Sequence, residues 1–267
     1  MSDVSRAGTG LANTQEKFIM PRIISPDQMR SFAERGYVVL PDAVPKPLIE
    51  GARQRVADLI EQNPPPPERR GFHFYWESEL PDGDPLFATL WASGAIALAT
   101  SLVTPLELSK PGQLQVSLNI PVWNHRPGGP HSDGLTPPES SGRPGTFTML
   151  AGVFLTDQSD DYMGNLWVWP GSHHVAGAYL REHGPDAIMG IAHPTYPMAL
   201  PEQVRGRAGD LLLAHYLLGH NMGGNTSTQT REVIYFRLHA DGHRAKWREY
   251  VQDPLLEFEP VRLAQEK

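Results

Sequence analysis

The chain predicts a mainly β protein, an antiparallel barrel or jelly roll flanked by helices at its N-terminal end. Three observations carry that expectation. Up to about residue 112 the sequence has helix grammar, with capping residues and apolar positions at helical spacing. From Gln113 it switches to a period of two, Gln113, Gln115, Ser117 and Asn119 alternating with Leu114, Val116, Leu118 and Ile120. After that, short apolar runs alternate with Gly- and Pro-rich turns, as in closed or two-layered antiparallel sheets.

Residues 1–22 are read as a disordered leader, because Met1 to Thr14 is polar and Gly/Ser-rich with no apolar core, and residues 23–267 as one domain. The first helix starts at Ser25-Pro26, with Ser25 as N-cap, Gln28 closing a capping box, Ile24 placed to staple onto Met29, and Gly36 ending it. Tyr37-Val38-Val39-Leu40 is a short strand. A second helix carries Leu48, Ile49, Ala52, Val56, Leu59 and Ile60 on one face. The proline run within Asn63 to Arg70 is a stiff connector. Phe72, Phe74, Tyr75 and Trp76 follow as either a pocket wall or plain core. The uncharged run from Pro85 to Leu106 has the length of a membrane span, but its Ala, Ser and Thr content and Gly94 suit a helix buried in the core.

The alternating stretch from Gln113 is a strand whose polar face meets either water or a wet site. Further strands are expected at Phe147 to Leu155, Leu166 to Trp169, Leu211 to Ala214, and from Arg231 through His239, with the acidic turn Asp157 to Asp161 between the first two. Pro170-Gly171-Ser172-His173 closes the second of these.

The totals narrow the functions available. Lys+Arg 23 against Asp+Glu 30 gives a net charge of −7, with no electrostatic footprint for nucleic acid or an anionic membrane. The sequence has no cysteine, so disulfides, thiolate zinc sites and iron–sulfur clusters are excluded, and any metal must sit on His and carboxylate. The protein is expected to be cytoplasmic and to act on a small molecule.

His131-Ser132-Asp133 is the stretch that carries chemistry. In an extended segment residues two apart share a face, so His131 and Asp133 point together. With a second imidazole they make a facial triad, which occupies one face of an Fe(II) octahedron and leaves the other positions open for cosubstrate and dioxygen. His220 is the natural third ligand, and His215 is its competitor on an apolar strand. The turn Gly223 to Ser227 and then Arg231, eleven residues on, follow His220. Arg231 is suited to hold the distal carboxylate of a dicarboxylate cosubstrate, because guanidinium offers a planar bidentate fork. His239-Ala240-Asp241 repeats the H-x-D pattern without such an arginine, and is read as a strand end.

His131-Ser132-Asp133, the run Gly164 to His173, Gly209-Asp210-Leu211, and His220 to Arg231 with Asn225-Thr226-Ser227 resemble the phytanoyl-CoA dioxygenase family of Fe(II)/2-oxoglutarate oxygenases. The helix leading into Gly36 to Leu40 is similar too, so the resemblance spans about Ile24 to His239. It implies a double-stranded β-helix (jelly-roll, cupin-like) core with His131, Asp133 and His220 as iron ligands and Arg231 on 2-oxoglutarate. It implies consumption of O2 and release of succinate and CO2, coupled to hydroxylation or desaturation of an unactivated C–H. Asp133 sharpens this, since halogenating relatives have a small residue there.

Gln115, Asn119 or Gln113 would contact the cosubstrate from the polar strand face, and Ser227 and Thr226 would either do the same or form a turn. Trp123, His125, Arg126, Trp167 and His174 are candidates for the substrate pocket. No basic cluster for a coenzyme A thioester stands out along the sequence, and Gln265-Glu266-Lys267 is no peroxisomal address. A free small molecule is therefore the expected substrate, with a CoA-thioester oxygenase or a non-redox metal- or ligand-binding jelly roll as alternatives.

Overall fold

A computed structural model describes residues 23–68, 71–133, 139–189 and 197–266. The leader expected at 1–22 lies outside the described residues.

Helix α1 (Pro26–Arg35) begins and ends where its capping residues place it. Gln28 N–H donates to Ser25 Oγ, Ser25 N–H donates to the Gln28 side chain, and Gly36 closes the helix at φ 82°. Gly36 is required twice over, since a Cβ there would sit 2.6 Å from His173 Nδ1. Strand β1 (Tyr37–Leu40) leads into α2 (Lys46–Gln62), which buries Ile49, Ala52, Val56 and Leu59 on one face. Asn63 to Glu68 form neither helix nor strand, and β2 (Phe72–Ser78) follows.

The run from Pro85 to Leu106 is buried in part but is not one helix. It splits into α3 (Pro85–Trp91) and α4 (Ala95–Ser101), broken at Gly94, whose φ of 82° leaves the helical region. Ser93 stabilises the break, its Oγ donating to Thr89 O at 2.6 Å and accepting from Ala95 N–H at 3.1 Å. Among the described residues no helix is long and apolar enough to cross a membrane.

Seven strands complete the fold: β3 (Gln113–Asn119), β4 (Met149–Phe154), β5 (Leu166–Val168), β6 (Glu202–Gln203), β7 (Leu211–His215), β8 (His220–Met222) and β9 (Arg231–Leu238). They form two antiparallel sheets, a large one in the order β1-β7-β4-β9-β3-β2 and a small one in the order β6-β5-β8. The two sheets face each other in jelly-roll fashion, with helices packed outside the large one. Leu114, Val116 and Leu118 of β3 join the apolar cluster under α1 to α4. Gln115, Ser117 and Asn119 point the other way and are buried as well. The polar face of β3 therefore lines an interior site and not bulk water.

Three helices carry no clear signal in the sequence: α5 (Ser172–His183), α6 (His243–Tyr250) and α7 (Glu259–Gln265). Each of the last two has only a few apolar positions, too few to show a helical period. Helix α7 packs on α1, with the Phe32 and Phe258 rings 5.1 Å apart, so the helical layer is built from both ends of the chain.

Candidate metal centre

The centre is assembled between the two sheets. His131 and His220 face each other as an isolated antiparallel bridge, each N–H donating to the other's carbonyl at 2.9 and 3.0 Å. This pairing brings their rings to 4.5 Å, centroid to centroid. Asp133 lies two residues on, and its Oδ1 is 3.5 Å from His131 Nε2 and 3.6 Å from His220 Nε2. One ligand atom from each of the three falls within 4.8 Å of the others, and no other His/carboxylate trio among the described residues does this.

His220 Nδ1 faces Leu218 O at 2.9 Å and must donate to it. That carbonyl pins Nδ1 as a protonated nitrogen and leaves Nε2 on the Asp133 side, where it can give its lone pair to a metal once its proton is released. Burial pushes the Asp133 carboxyl up, but hydrogen bonds from His131 and His220 and the charges of His220 and Arg237 outweigh it and hold the group well below the usual carboxylate range. Burial alone would lower His220, whereas its hydrogen bond and charge interaction with Asp133 carry it above the ordinary histidine value. Two imidazole nitrogens and one carboxylate oxygen within 4.8 Å of one another are a donor set that fits Fe(II).

The second carboxylate oxygen is taken by Arg237, whose Nη2 donates to Asp133 Oδ2 at 2.5 Å and more weakly to Gln115 Oε1 at 3.4 Å. Its guanidinium lies over the Trp76 ring at 5.0 Å and near Phe147 at 5.9 Å. A cavity of about 220 Å³ extends from the triad along β3 and β9 to Arg231. Phe74, Trp76, Gln115, Leu166, Met222 and Tyr235 are among its walls.

Arg231 is buried at 3% exposure. It donates to Gln158 Oε1 (2.9 Å), Asn119 Oδ1 (3.1 Å), Ser117 Oγ (3.3 Å) and Tyr235 Oη (2.6 Å). All four are neutral, and no carboxylate faces this guanidinium among the described residues. A buried cation without a counter-ion, on the wall of a cavity that starts at a metal triad, fits the distal carboxylate of 2-oxoglutarate.

The other residues singled out in the sequence divide clearly. Gln115 lines the cavity, and Asn119 lies behind it, holding Arg231 and donating to Gly223 O at 2.8 Å. Gln113 is exposed and bonds Ser78. Ser227 is spent on its own turn, with Asn225 Oδ1 at 2.7 Å and Gln229 O at 3.1 Å, and Thr226 reaches Tyr162 O.

Trp123 and His125 stack on each other at 4.4 Å, Arg126 lies over Tyr162, and Trp167 projects from the face of β5 opposite Leu166. None of these four lines the metal cavity. His174 bonds Ala33 O at 2.7 Å, between α5 and α1. His215, the competitor for the third ligand position, is buried on Pro254 O at 2.7 Å. Asp241 of the second H-x-D pattern accepts from Ser109. Sequence reasoning missed Gln158 and Tyr235 as partners of Arg231. Strand parity would have found Tyr235, four residues on and on the same face, whereas nothing local marks Gln158 within its acidic turn.

A model of the phytanoyl-CoA dioxygenase family matches residues 32–233, and no curated protein matches. Among solved structures, HygX from Streptomyces hygroscopicus with nickel and 2-oxoglutarate bound is similar at TM-score 0.56 and 18% identity, over 82% of this chain and 88% of its own. Another HygX structure also holds hygromycin B. The carbocyclase SnoK from nogalamycin biosynthesis gives 0.55 and 21%, over 82% and 84%. The epimerase SnoN from the same biosynthesis gives 0.55 and 19%, over 78% and 79%. The structural likenesses share the fold of this chain, and the family match runs through all three converging ligands to Arg231. The chain belongs to the phytanoyl-CoA dioxygenase family of Fe(II)- and 2-oxoglutarate-dependent oxygenases.

Proposed function

We propose that the protein hydroxylates or desaturates an unactivated C–H bond of a small molecule, using Fe(II), O2 and 2-oxoglutarate and releasing succinate and CO2. The observation that carries this is the pairing of His131, Asp133 and His220 at one end of a single cavity with the uncompensated Arg231 at the other.

His131, Asp133 and His220 would hold Fe(II), which supplies the site where O2 and 2-oxoglutarate react and where the oxidising power for C–H cleavage arises. Leu218 O holds the His220 ring in the ligating tautomer. Arg231 binds the distal carboxylate, and its four neutral partners fix the fork without neutralising it. Phe74, Trp76, Leu166 and Met222 give the cavity apolar walls that limit water around the reacting groups. A carboxylate at Asp133, where halogenating relatives have a small residue, supports transfer of oxygen or loss of hydrogen over halogenation. HygX with hygromycin B and the two nogalamycin enzymes support a small molecule as substrate.

Anaerobic addition of Fe(II) and 2-oxoglutarate should produce a visible metal-to-ligand charge-transfer band, absent in His131→Ala, Asp133→Ala and His220→Ala. An unchanged band in those variants would rule out the triad. A succinate-release screen across metabolite pools then identifies the substrate, and product mass separates gain of one oxygen, loss of two hydrogens, and the isomeric outcome of an epimerase.

A further inference from the structure

Beside the metal cavity lies a second, wider trough of about 660 Å³, and Arg237 forms part of the wall of both. The two are successive stretches of one strip, formed by alternate residues of β9 and the residue after it. Arg231, Tyr235 and Arg237 line the metal cavity, and Arg237 and His239 line the trough. Gln115 and Gln113 continue the same strip on β3. The trough is therefore the extension of the active site on the side away from Arg231.

Its chemistry is cationic. Lys110, Arg237 and Arg244 line it against one carboxylate, Asp241, on a chain whose net charge is −7. Lys110 pairs with exposed Asp82, and Arg244 shares Glu139 with Arg143, so both lie at the rim with their charge partly met. Arg237 differs from them. Both of its hydrogen bonds come from Nη2, and its Nε and Nη1 have no partner among the described residues. Its one carboxylate is Asp133, whose other oxygen belongs to the metal triad, so a divalent ion there leaves Arg237 only partly compensated. A guanidinium held against Trp76 and Phe147 with an edge unfilled is preorganised for an oxyacid.

We propose that this trough is the substrate site and that the substrate carries an oxyacid group, a carboxylate, sulfate or phosphate, held on the open edge of Arg237 with Arg244 and Lys110 at the rim. The inference rests on the oxygenase reading of the neighbouring centre and names the substrate class for it. Because Arg237 itself touches the ligand Asp133, the carbon presented for oxidation lies only a few bonds from the acid group.

The test uses full-length protein loaded with redox-inert Zn(II) and saturating 2-oxoglutarate, which occupies Arg231 throughout. The probes are 4-(trifluoromethyl)phenylacetate and its primary amide, titrated by fluorine NMR, with inorganic sulfate and phosphate as competitors. The acid is expected to bind about tenfold more tightly than the amide and to be displaced by sulfate or phosphate. That preference should be lost in Arg244→Glu and in Arg237→Gln, partly restored in Arg237→Lys, and unchanged in Arg262→Gln, outside the trough. Equal binding of acid and amide, no binding of the acid at millimolar concentration, displacement by further 2-oxoglutarate, or indifference to Arg244→Glu would each overturn it. The oxygenase reading fails separately, by absence of the Fe(II)·2-oxoglutarate band, whereas the trough is decided by the acid-to-amide ratio on the Zn(II)-loaded protein.

Discussion

Asp133 divides its two carboxylate oxygens between different tasks: Oδ1 lies 3.5 and 3.6 Å from the two imidazole Nε2 atoms, and Oδ2 is held at 2.5 Å by Arg237 Nη2. Arg237 thereby orients Asp133 with a single oxygen toward the ligand cluster. It also places a fixed positive charge next to a site meant for a divalent cation.

Removing that charge while keeping a hydrogen-bond donor separates the two effects. Arg237→Gln should lower the melting temperature of metal-free protein, since Asp133 loses its charged partner. It should also tighten Zn(II) or Mn(II) binding by roughly 10- to 150-fold, the scale of one charge-assisted hydrogen bond, about 1.5–3 kcal/mol. Calorimetric titration decides it, and weaker metal binding would mean that orientation of Oδ2 outweighs repulsion.

Arg231→Ala should weaken 2-oxoglutarate binding to metal-loaded protein by about 2–4 kcal/mol, through loss of a charge-assisted bidentate contact. It also strands Gln158, Asn119, Ser117 and Tyr235 beside a buried hole. Arg231→Lys keeps the charge but not the fork, so its affinity should lie between the two. Titration of 2-oxoglutarate into Zn(II)-loaded protein reads both, and normal binding by Arg231→Ala would move the anchor to Arg237.

Gly164 connects the small sheet to this anchor. It has φ +83°, and a Cβ would sit 2.6 Å from Asn119 Cβ and 3.0 Å from Arg231 Cβ, neither of which can swing aside. Gly164→Ala should cost roughly 1–3 kcal/mol, read as a fall in melting temperature. It should raise the 2-oxoglutarate dissociation constant without changing metal affinity, because the displaced groups lie at the end of the cavity away from His131, Asp133 and His220.

Part of the acid sensitivity should trace to His215, which burial holds below the ordinary histidine value as it does His173 and His239. Full burial, with small contributions from His174 and His243, lowers His215 from 6.5 to about 3 despite its bond to Pro254 O. The unfolded chain takes up the proton first as pH falls, so the stabilisation is complete above about pH 6.5 and drains away between 6.5 and 3. The slope from this one group is about 1.4 kcal/mol per pH unit. His215→Gln should be less stable at neutral pH, yet show a flatter loss of stability between pH 6.5 and 4.5 by chemical denaturation.

The sequence by itself determined what is local. Capping residues marked α1 to the residue, alternation marked β3, and the short spacing of His131-Ser132-Asp133 put two of the three converging side chains on one face, because period-two geometry needs no knowledge of the rest of the fold. It also pointed to His220 and Arg231, through the motifs that surround them.

What only the tertiary structure decided depends on contacts across long sequence separations. The two faces of β3 could be told apart only once α1 to α4 covered one and the small sheet covered the other. Gln158 became a partner of Arg231 across 73 residues. Helices α6 and α7 form where α1 and the large sheet give their few apolar side chains something to bury against. Trp123, His125, Arg126, Trp167 and His174 have the composition of a pocket, but strand parity and packing turn them away from the metal cavity. Arg237 gained its meaning in the same way, because only the folded chain shows that one side chain lies between Asp133 of the His-Asp-His cluster and the trough next to it.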